Sequence, residues 1–504
     1  MEPKRHLDDE TQPANDLPAF FDKHRWLFFS IVLLLHIAAF NGQWRLGPDT
    51  TNYGVVARNV IEGRGHYHPH GFHVSTRPGT VAMFGFGFSL SGTGNVWPAL
   101  ILVHLSGIVS LVLTFQLFRL HADRPTAVAV TVMVGVSAVF FRHCLEMLND
   151  VPFFVGLMLF LFAYERHHQQ HGRMWLNVCM MLLGVLWMAM FRIVFIVPVA
   201  AMICVAAFQV LRGTNPRRNA TIVVVILVLI VLFRLLDTRG TEGLSGRESA
   251  IIDMLWTNLG HTLTGVLPVN AVNFLEDSFP KGFLGNKIVP IFNSILTIAA
   301  LVTTLVVVRR RPIWLIMTVG FVASWLLIVS TSRYVLVIMP LVAFAWWKSS
   351  LSLRGRFGGR MGNVLCATML ALWIGMNGAK CVGLIIEQRR VPFIVHYRRG
   401  AYEGVRELGL KFRDTVDENA IILSPQRCSG PVMFFSGMTA DMPNRMQPID
   451  NDTNRQILVI APMDEPLKHM FKERGWRAGP TVWSVPRRGN TEPWTLHRVI
   501  RSPE

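Results

Sequence analysis

Charged side chains are scarce in this sequence. They make up 16% of its 504 residues, whereas a soluble globular domain carries about 25%. Hydrophobic residues account for 51%, and they are grouped in runs long enough to cross a bilayer. These features exclude a wholly soluble protein and predict an α-helical polytopic membrane protein.

Cysteine is also scarce, and its spacing is unsuited to cross-linking. The six cysteines include no Cys-x-x-Cys pair, which argues against a disulfide framework and against a thiolate metal site. A cleavable signal peptide is not expected, because the first apolar run, 26–40, lacks a small-residue cleavage site and leads directly into Gln43. Internal repeats and low-complexity tracts are absent from the sequence as well.

The apolar runs predict about eleven transmembrane helices. Their expected limits are 25–44, 97–118, 125–141, 151–165, 174–191, 193–211, 220–236, 286–308, 312–331, 334–348 and 362–384. Two of them, 125–141 and 151–165, are short for a hydrocarbon core of about 30 Å, so their helices are expected to extend further.

The net charge of +17 is distributed asymmetrically. Arginine is concentrated in alternate connections between the predicted spans, and the opposite short connections carry little more than Arg142, Arg192 and Arg333. The positive-inside rule therefore places the N-terminal tail, 1–24, in the cytoplasm. The segments expected outside are 45–96, 142–150, 237–285 and 386–504. Membrane lipids, and not nucleic acid, are the expected partners of the basic residues.

Composition changes abruptly after the last predicted span. The transmembrane part is expected to cover 25–385, and the region 386–504 contains short β-like runs at 420–423 and 456–460. A helical pattern follows at 465–474. This region is predicted to be a small extracytoplasmic C-terminal α/β domain.

Asp49 is the first carboxylate beyond the first span. It follows Pro48 and precedes a stretch, 53–62, whose spacing predicts an amphipathic helix lying along the membrane. One interpretation is that Asp49 caps this helix. The other is that it serves as a base for an acceptor hydroxyl or amine, since it lies where water meets the bilayer.

Asp150 is the second candidate carboxylate. It precedes Pro152 at the start of the fourth predicted span, so Asp150 or Asn149 could cap that helix. Glu146 lies four residues earlier and is expected to share a helical face with Asp150. Such a pair could bind an amine, a sugar hydroxyl or a metal ion.

Among the arginines outside the expected cytoplasmic loops, three are candidates for binding phosphate: Arg77, Arg192 and Arg333. A guanidinium group matches the oxygens of a phosphate, so each could hold a lipid phosphate. The alternative is that each is a topology residue or extends its charged end towards water.

Histidines cluster in the first external loop. His66, His68 and His70 alternate there, with His73 close by, and His143 lies in the next external loop. Imidazoles with carboxylates can bind zinc or manganese, but this spacing within a loop is a weak metal signal. No cofactor is predicted with certainty, and a divalent metal remains a possibility.

The order of these motifs resembles that of the GT-C superfamily of membrane glycosyltransferases, nearest to the protein O-mannosyltransferase and aminoarabinose-transferase branch (glycosyltransferase family 39-like). The motifs are Pro48-Asp49 with Tyr53, the run 57–65, Arg77-Pro78-Gly79, Asp150, and Ser332-Arg333-Tyr334 before an apolar helix containing Pro340. The resemblance covers about residues 25–350.

The resemblance implies an inverting transfer of a sugar from a polyprenyl-phosphate donor, with Asp49 as catalytic base. The positions that would bind substrate are Tyr53, Arg58, Arg77, Glu146, Asp150, Arg192, Arg333 and Tyr334. Many relatives have an acidic pair where this chain has Asp49-Thr50, so a protein, a lipid or a glycan remains open as acceptor. The implied location is the outer face of the cytoplasmic membrane.

Two other functions remain as alternatives. A transporter or flippase of a lipid-linked or anionic substrate would use the same charges, although such proteins commonly contain repeats and broken helices near the middle of the membrane. A non-catalytic assembly subunit would bind partners through the external domain and would not require Asp49.

Overall fold

A computed structural model describes residues 17–42, 48–66, 77–92, 95–213, 228, 262–284, 289–327, 332–390, 405–417, 420–425, 432–433, 436, 440–441, 456–485 and 492–500. Helices dominate the first part of the chain. They are α1 (Leu17–Lys23), α2 (Arg25–Ala39), α3 (Pro48–Ile61), α4 (Pro78–Ser91), α5 (Trp97–Arg119), α6 (Arg124–Gly135), α7 (Ala138–His143), α8 (Asp150–His168), α9 (Met174–Phe191) and, after the 3-10 turn Ile193–Phe195, α10 (Ile196–Leu211).

A second group of helices follows residue 261. It comprises α11 (Leu267–Asn273) between the π-helical turns Thr262–Val266 and Phe274–Ser278, α12 (Phe279–Leu284), α13 (Pro290–Val308), α14 (Pro312–Leu327), the 3-10 helix Ser332–Val337, α15 (Met339–Phe357) and α16 (Gly359–Arg390).

Four of the described helices are long and apolar enough to cross a membrane. These are α5, α9, α13 and the segment Arg360–Glu387 of α16. Shorter apolar helices coincide with the predicted runs that begin at 25, 125, 193 and 312. The predicted run 220–236 lies outside the described residues, except for residue 228, so the count of eleven stays a prediction.

The predicted helix 125–141 is interrupted. Helix α6 ends at Gly135, and α7 begins at Ala138 after the extended residue Ser137. Asn377 of α16 stabilises the break, because its side-chain oxygen accepts a hydrogen bond from the Ala138 amide at 2.9 Å. Its amide group donates to the Phe283 carbonyl at 3.0 Å. One buried side chain therefore satisfies backbone groups on two other elements.

Helix α4 lies within the segment 45–96 that was predicted only as an external loop. Its glycines allow unusually close packing. A Cβ atom on Gly79 would lie 2.8 Å from the Met190 carbonyl oxygen, and one on Gly87 would lie 2.6 Å from the Ala99 amide nitrogen. The helix thus packs directly against the last turn of α9 and the first turn of α5.

The C-terminal region contains helices α17 (Val405–Thr415) and α18 (Glu465–Glu473) and a five-stranded sheet. The strands are β1 (Ile421–Leu423), β2 (Ala440–Asp441), β3 (Ile457–Ala461), β4 (Arg477–Val485) and β5 (Trp494–Ile500), in the order β2-β1-β3-β5-β4. Strand β1 is parallel to β2 and β3, whereas β5 is antiparallel to β3 and β4. The predicted runs at 420–423 and 456–460 coincide with β1 and β3. That this region forms a separate extracytoplasmic domain stays a prediction.

Candidate active site

Asp49 lies in the first turn of α3, immediately after Pro48. Proline suits this position because its missing amide hydrogen would have no helical partner there. A carboxylate in the first turn also interacts favourably with the helix dipole. Its Oδ2 accepts a hydrogen bond from Nη1 of Arg333 at 2.5 Å, and 44% of the side chain remains exposed. Asp49 is therefore accessible to water while it is paired.

Arg333 approaches from a distant part of the sequence. It lies in the 3-10 helix Ser332–Val337, just before α15 begins with Pro340 in its first turn. Its side chain is 26% exposed. The Nε atom is buried and has no hydrogen-bond partner among the described residues. Arg333 consequently retains an unused donor close to the Asp49 carboxylate.

A second ion pair joins Arg192 to Asp150. Asp150 is the first residue of α8 and Arg192 follows the last residue of α9, and Nη1 of Arg192 donates to Oδ1 of Asp150. Only 5% of the Asp150 side chain and 13% of the Arg192 side chain are exposed. The Oδ2 atom of Asp150 is buried and accepts no hydrogen bond within the described part of the chain.

Two hydrogen bonds hold the ends of α8 and α9 together. The Asn149 side chain donates to the Phe191 carbonyl at 2.8 Å, and the Trp187 indole donates to the Pro152 carbonyl at 2.8 Å. Sequence reasoning considered Asn149 only as a possible cap. Its hydrogen bond instead links the start of α8 to Phe191, the residue before Arg192. This link positions Arg192 beside Asp150.

Tyr334 connects the two ion pairs. The guanidinium carbon of Arg192 lies 4.8 Å from the centre of its ring, and that of Arg333 lies 5.3 Å from it. Two cations beside one aromatic ring would repel each other, but Asp150 and Asp49 each provide a compensating charge. The four charged groups thus form a neutral set arranged around Tyr334.

Tyr53 lies one helical turn after Asp49 and on the same side of α3. Burial raises the pKa of Tyr53 well above its usual range, and the Asp49 carboxylate adds to the rise. The phenol therefore remains protonated at physiological pH. It can donate or accept a hydrogen bond, but it cannot act as an anionic base.

Comparison with known proteins identifies this arrangement of helices. Residues 73–236, which include Asp150 and Arg192, match the family model of dolichyl-phosphate-mannose-protein mannosyltransferase. The structure of ArnT from Cupriavidus metallidurans in the apo state aligns with 95% of this chain and 98% of its own, at a TM-score of 0.59 and 13% identity. The chain has the GT-C fold. The predicted resemblance to GT-C glycosyltransferases is thereby confirmed.

Two further solved structures share this GT-C fold. ArnT bound to undecaprenyl phosphate aligns with 94% of this chain and 98% of its own, at a TM-score of 0.60 and 13% identity. The Archaeoglobus fulgidus oligosaccharyltransferase in complex with zinc and sulfate aligns with 81% of this chain and 62% of its own, at a TM-score of 0.54 and 11% identity. No curated protein sequence matches the chain.

Glu146 and Asp150 do not share a helical face in this GT-C structure, contrary to the spacing argument. Helix α7 ends at His143 and α8 begins at Asp150, so Glu146 lies in the turn between them. The buried Glu146 carboxylate accepts a hydrogen bond from Nε of Arg142 at 3.0 Å. Nδ1 of His143 lies 2.6 Å from the Val139 carbonyl oxygen. These contacts support the turn.

Arg58 and Arg77 occupy other positions. Nε of Arg58 lies 2.6 Å from Oε1 of Glu62, one turn later on α3. Nine residues separate Arg58 from Asp49, which places them about half a turn apart around the axis and about 13 Å apart along it. Arg77 precedes α4, whose Gly79 packs against Met190 just before Arg192. Arg77 thus lies two residues before the point where α4 packs against the end of α9, whereas Arg58 lies on the opposite side of α3 from Asp49.

The weak metal candidates are only partly described. His68 and His70 lie outside the described residues, as does His73, while His66 and His143 lie within them. Among the described residues, no group of three or more histidine, cysteine, aspartate or glutamate side chains could hold a metal ion. A divalent metal therefore has no supporting geometry in that part of the chain.

Proposed function

We propose that this protein is an integral-membrane glycosyltransferase that moves a sugar from a polyprenyl-phosphate donor to an acceptor at the outer face of the cytoplasmic membrane. The observation that carries the proposal is the pair of carboxylate–guanidinium contacts around Tyr334. A base and two phosphate-binding groups are the parts that such a transfer requires. That ArnT, a protein of the same fold, binds undecaprenyl phosphate supports this class of donor.

In this reaction Asp49 acts as the catalytic base. It removes a proton from the acceptor hydroxyl or amine as the acceptor atom attacks the anomeric carbon of the donor. The bond between that carbon and the phosphate oxygen breaks, and the oxygen retains the bonding electrons. Attack from the face opposite the phosphate inverts the anomeric configuration. Arg333 and Arg192 stabilise the negative charge that develops on the leaving phosphate.

The free protein does not have Asp49 ready for this step. Its Oδ2 atom accepts a hydrogen bond from Arg333 at 2.5 Å, so that oxygen is engaged by the guanidinium group and not by an acceptor. A donor phosphate attracts a guanidinium group strongly and can accept two parallel hydrogen bonds from it. Binding of the donor would therefore draw Arg333 away and release Asp49. This coupling limits proton removal to the complex in which the sugar is present.

Asp150 would position the reactants without taking the proton. It is buried and remains paired with Arg192, and its Oδ2 has no other acceptor duty among the described residues. That oxygen can accept a hydrogen bond from a sugar or acceptor hydroxyl. Arg192, which Asp150 holds in place, would then contact the phosphate with its remaining N–H groups.

The orientation of the protein is part of the proposal. The N-terminal tail lies in the cytoplasm, and Asp49 and the C-terminal region face the opposite side, as the arginine distribution predicts. The donor's hydrocarbon chain would lie among the helices. The acceptor is a protein, a lipid or a glycan, and the C-terminal region is the part of the chain available to recognise it.

Purified protein assayed with radiolabelled undecaprenyl-phosphate monosaccharides tests the proposal. Wild type should release or transfer the label, whereas Asp49→Asn should be slower by about 10²- to 10⁴-fold, because it loses the general base. Asp414→Asn is the matched control: it breaks an exposed pair with Arg413, at 3.1 Å, in α17. Equal rates for wild type and Asp49→Asn would refute the base assignment. Lipid movement between leaflets without any sugar transfer would indicate a flippase.

A further inference from the structure

A groove runs between α2, α5 and α6. It encloses about 400 Å³, within the range of about 300–1,000 Å³ that small-molecule sites occupy. Phe29 and Phe115 line it and contact each other edge to face, with ring centres 5.6 Å apart. Trp26 and Val112 line it too and are largely exposed. The groove therefore opens towards the surroundings of the helices and offers mainly hydrocarbon contacts.

The length of the groove matches one leaflet of a bilayer. Its lining on α2 extends from Trp26 to His36, and on α5 from Gly107 to Gln116. At 1.5 Å per residue these stretches measure about 15 Å and about 13 Å. Half of a hydrocarbon core of about 30 Å has the same length. A single acyl chain from one leaflet would therefore fill it from end to end.

One end of the groove carries an excess of positive charge. The guanidinium carbon of Arg25 lies 5.8 Å from the ring centre of Trp26, and that of Arg119 lies 5.9 Å from that of Phe115. Both rings line the groove. Two arginines thus stand directly beside its aromatic end.

Within the described part of the chain, the neighbouring carboxylates do not neutralise this end. Nε and Nη2 of Arg124 donate to Asp22 at 2.5 and 2.6 Å. The Arg124 hydrogen bond is the largest cause that lowers the pKa of Asp22, and the charges of Arg25 and Arg119 lower it further. Nη1 of Arg25 also lies 3.6 Å from Oδ1 of Asp22. One carboxylate thus faces three guanidinium groups and can offset only one of their charges. Among the described residues, Lys23 and Asp123 are the next charges along the chain, and their opposite signs leave the excess unchanged.

We propose that this groove binds one anionic glycerophospholipid of the cytoplasmic leaflet, with an acyl chain in the groove and the phosphate between Arg25 and Arg119. Basic sites between transmembrane helices on the cytoplasmic side bind anionic head groups. The charged end lies at the start of α2, whereas Asp49 follows its other end. The proposed site is therefore distinct from the proposed active site, and a polyprenyl donor that places its phosphate beside Asp49 would not place it here.

Native mass spectrometry of the delipidated full chain tests this site, with phosphatidylglycerol, phosphatidylcholine and undecaprenyl phosphate as probes. Wild type should retain phosphatidylglycerol in preference to phosphatidylcholine. The double variant Arg25→Gln/Arg119→Gln should weaken retention roughly 20- to 30-fold, since each arginine near a membrane surface contributes roughly fivefold. The control is Arg212→Gln, which removes an arginine whose guanidinium carbon lies 4.3 Å from the ring centre of Phe208, a residue outside the groove lining.

A second variant tests the groove without changing charge. Val112→Trp adds bulk at an exposed lining position, where the fold can accommodate it, and should reduce phosphatidylglycerol retention while leaving the melting temperature unchanged. Equal retention of phosphatidylglycerol and phosphatidylcholine, or no effect of Val112→Trp, would overturn the proposal. So would an undecaprenyl phosphate signal that alone depends on Arg25 and Arg119.

Discussion

The two ion pairs around Tyr334 have the same chemistry but different surroundings. Asp150 and Arg192 are held where the ends of α8 and α9 meet, with little of either side chain exposed. Asp49 and Arg333 join α3 to the 3-10 helix before α15, and nearly half of the Asp49 side chain reaches water. A buried pair is costly to break, whereas an exposed pair exchanges readily with water and ligands. The first pair is thus suited to fix geometry, and the second to react.

The largest effect that tests this difference between the two ion pairs is expected from removing one partner of the buried pair. Arg192→Ala leaves the Asp150 carboxylate buried without its cation, so we expect a loss of about 3–5 kcal/mol in the free energy of unfolding. Denaturant unfolding of the purified protein in detergent measures it. The double variant Asp150→Asn/Arg192→Gln removes both charges and should recover most of this stability without recovering sugar transfer. Unchanged stability of Arg192→Ala would contradict the structural role of this pair.

The exposed pair should behave in the opposite way. Arg333→Gln should change the free energy of unfolding by only about 0–1 kcal/mol, because solvent screens the pair. Donor affinity should nevertheless fall about 10- to 100-fold, as a charged hydrogen bond to phosphate is lost. Donor titration of the transfer rate, followed as KM, checks this expectation. A large loss of stability with an unchanged KM would reverse the roles assigned to the two pairs.

Tyr334 tests whether the two pairs depend on each other. Tyr334→Phe keeps the aromatic face and should preserve both cation–π contacts, whereas Tyr334→Leu removes them. Since each contact contributes about 0.5–1 kcal/mol at an exposed site and more when desolvated, the leucine variant should lose about 1–2 kcal/mol of stability. Denaturant unfolding of the two variants, measured side by side, checks this difference in stability. If Tyr334→Phe and Tyr334→Leu lower the free energy of unfolding equally, the hydroxyl group of Tyr334 and not its ring stabilises the two ion pairs.

The smallest effect on the rate of sugar transfer is expected from a substitution of Tyr53. Because burial raises the pKa of Tyr53, its phenol does not ionise in the working range. Tyr53→Phe should therefore leave the shape of the pH–rate profile unchanged between neutral and mildly alkaline pH. Any reduction in rate should be about tenfold or less, the value of one neutral hydrogen bond. A shifted alkaline limb would show that Tyr53 titrates during the reaction.

Sequence patterns predicted the parts of this molecule that follow from local chemistry. Apolar runs located α5, α9 and α13 because each helix must match the bilayer thickness. Short continuous runs of isoleucine, leucine and valine located β1 and β3. Helix α4 was missed, since its glycine-rich, short apolar run is unlike a span and is stabilised by packing against Met190 and Ala99. The break at Ser137 was missed as well, because it depends on Asn377, which is remote in sequence.

The candidate site was predicted as a set of residues on one side of the membrane, but the contacts that join them were not predicted. Asp49, Asp150 and Arg333 attracted attention because charge is rare near membrane spans. Nothing local indicates that Asp49 pairs with a residue 284 positions away, or that two arginines share the ring of Tyr334. Those contacts arise from helix packing, which brings together residues whose separation in the sequence carries no signal.

The most direct test of the central claim is a structure of the protein with a polyprenyl phosphate bound. Our account predicts that Arg333 turns from Asp49 to the phosphate oxygens and leaves the Asp49 carboxylate free, while the contact between Asp150 and Arg192 stays as it is. A bound phosphate that leaves Arg333 on Asp49, or one that instead separates Asp150 from Arg192, would contradict it.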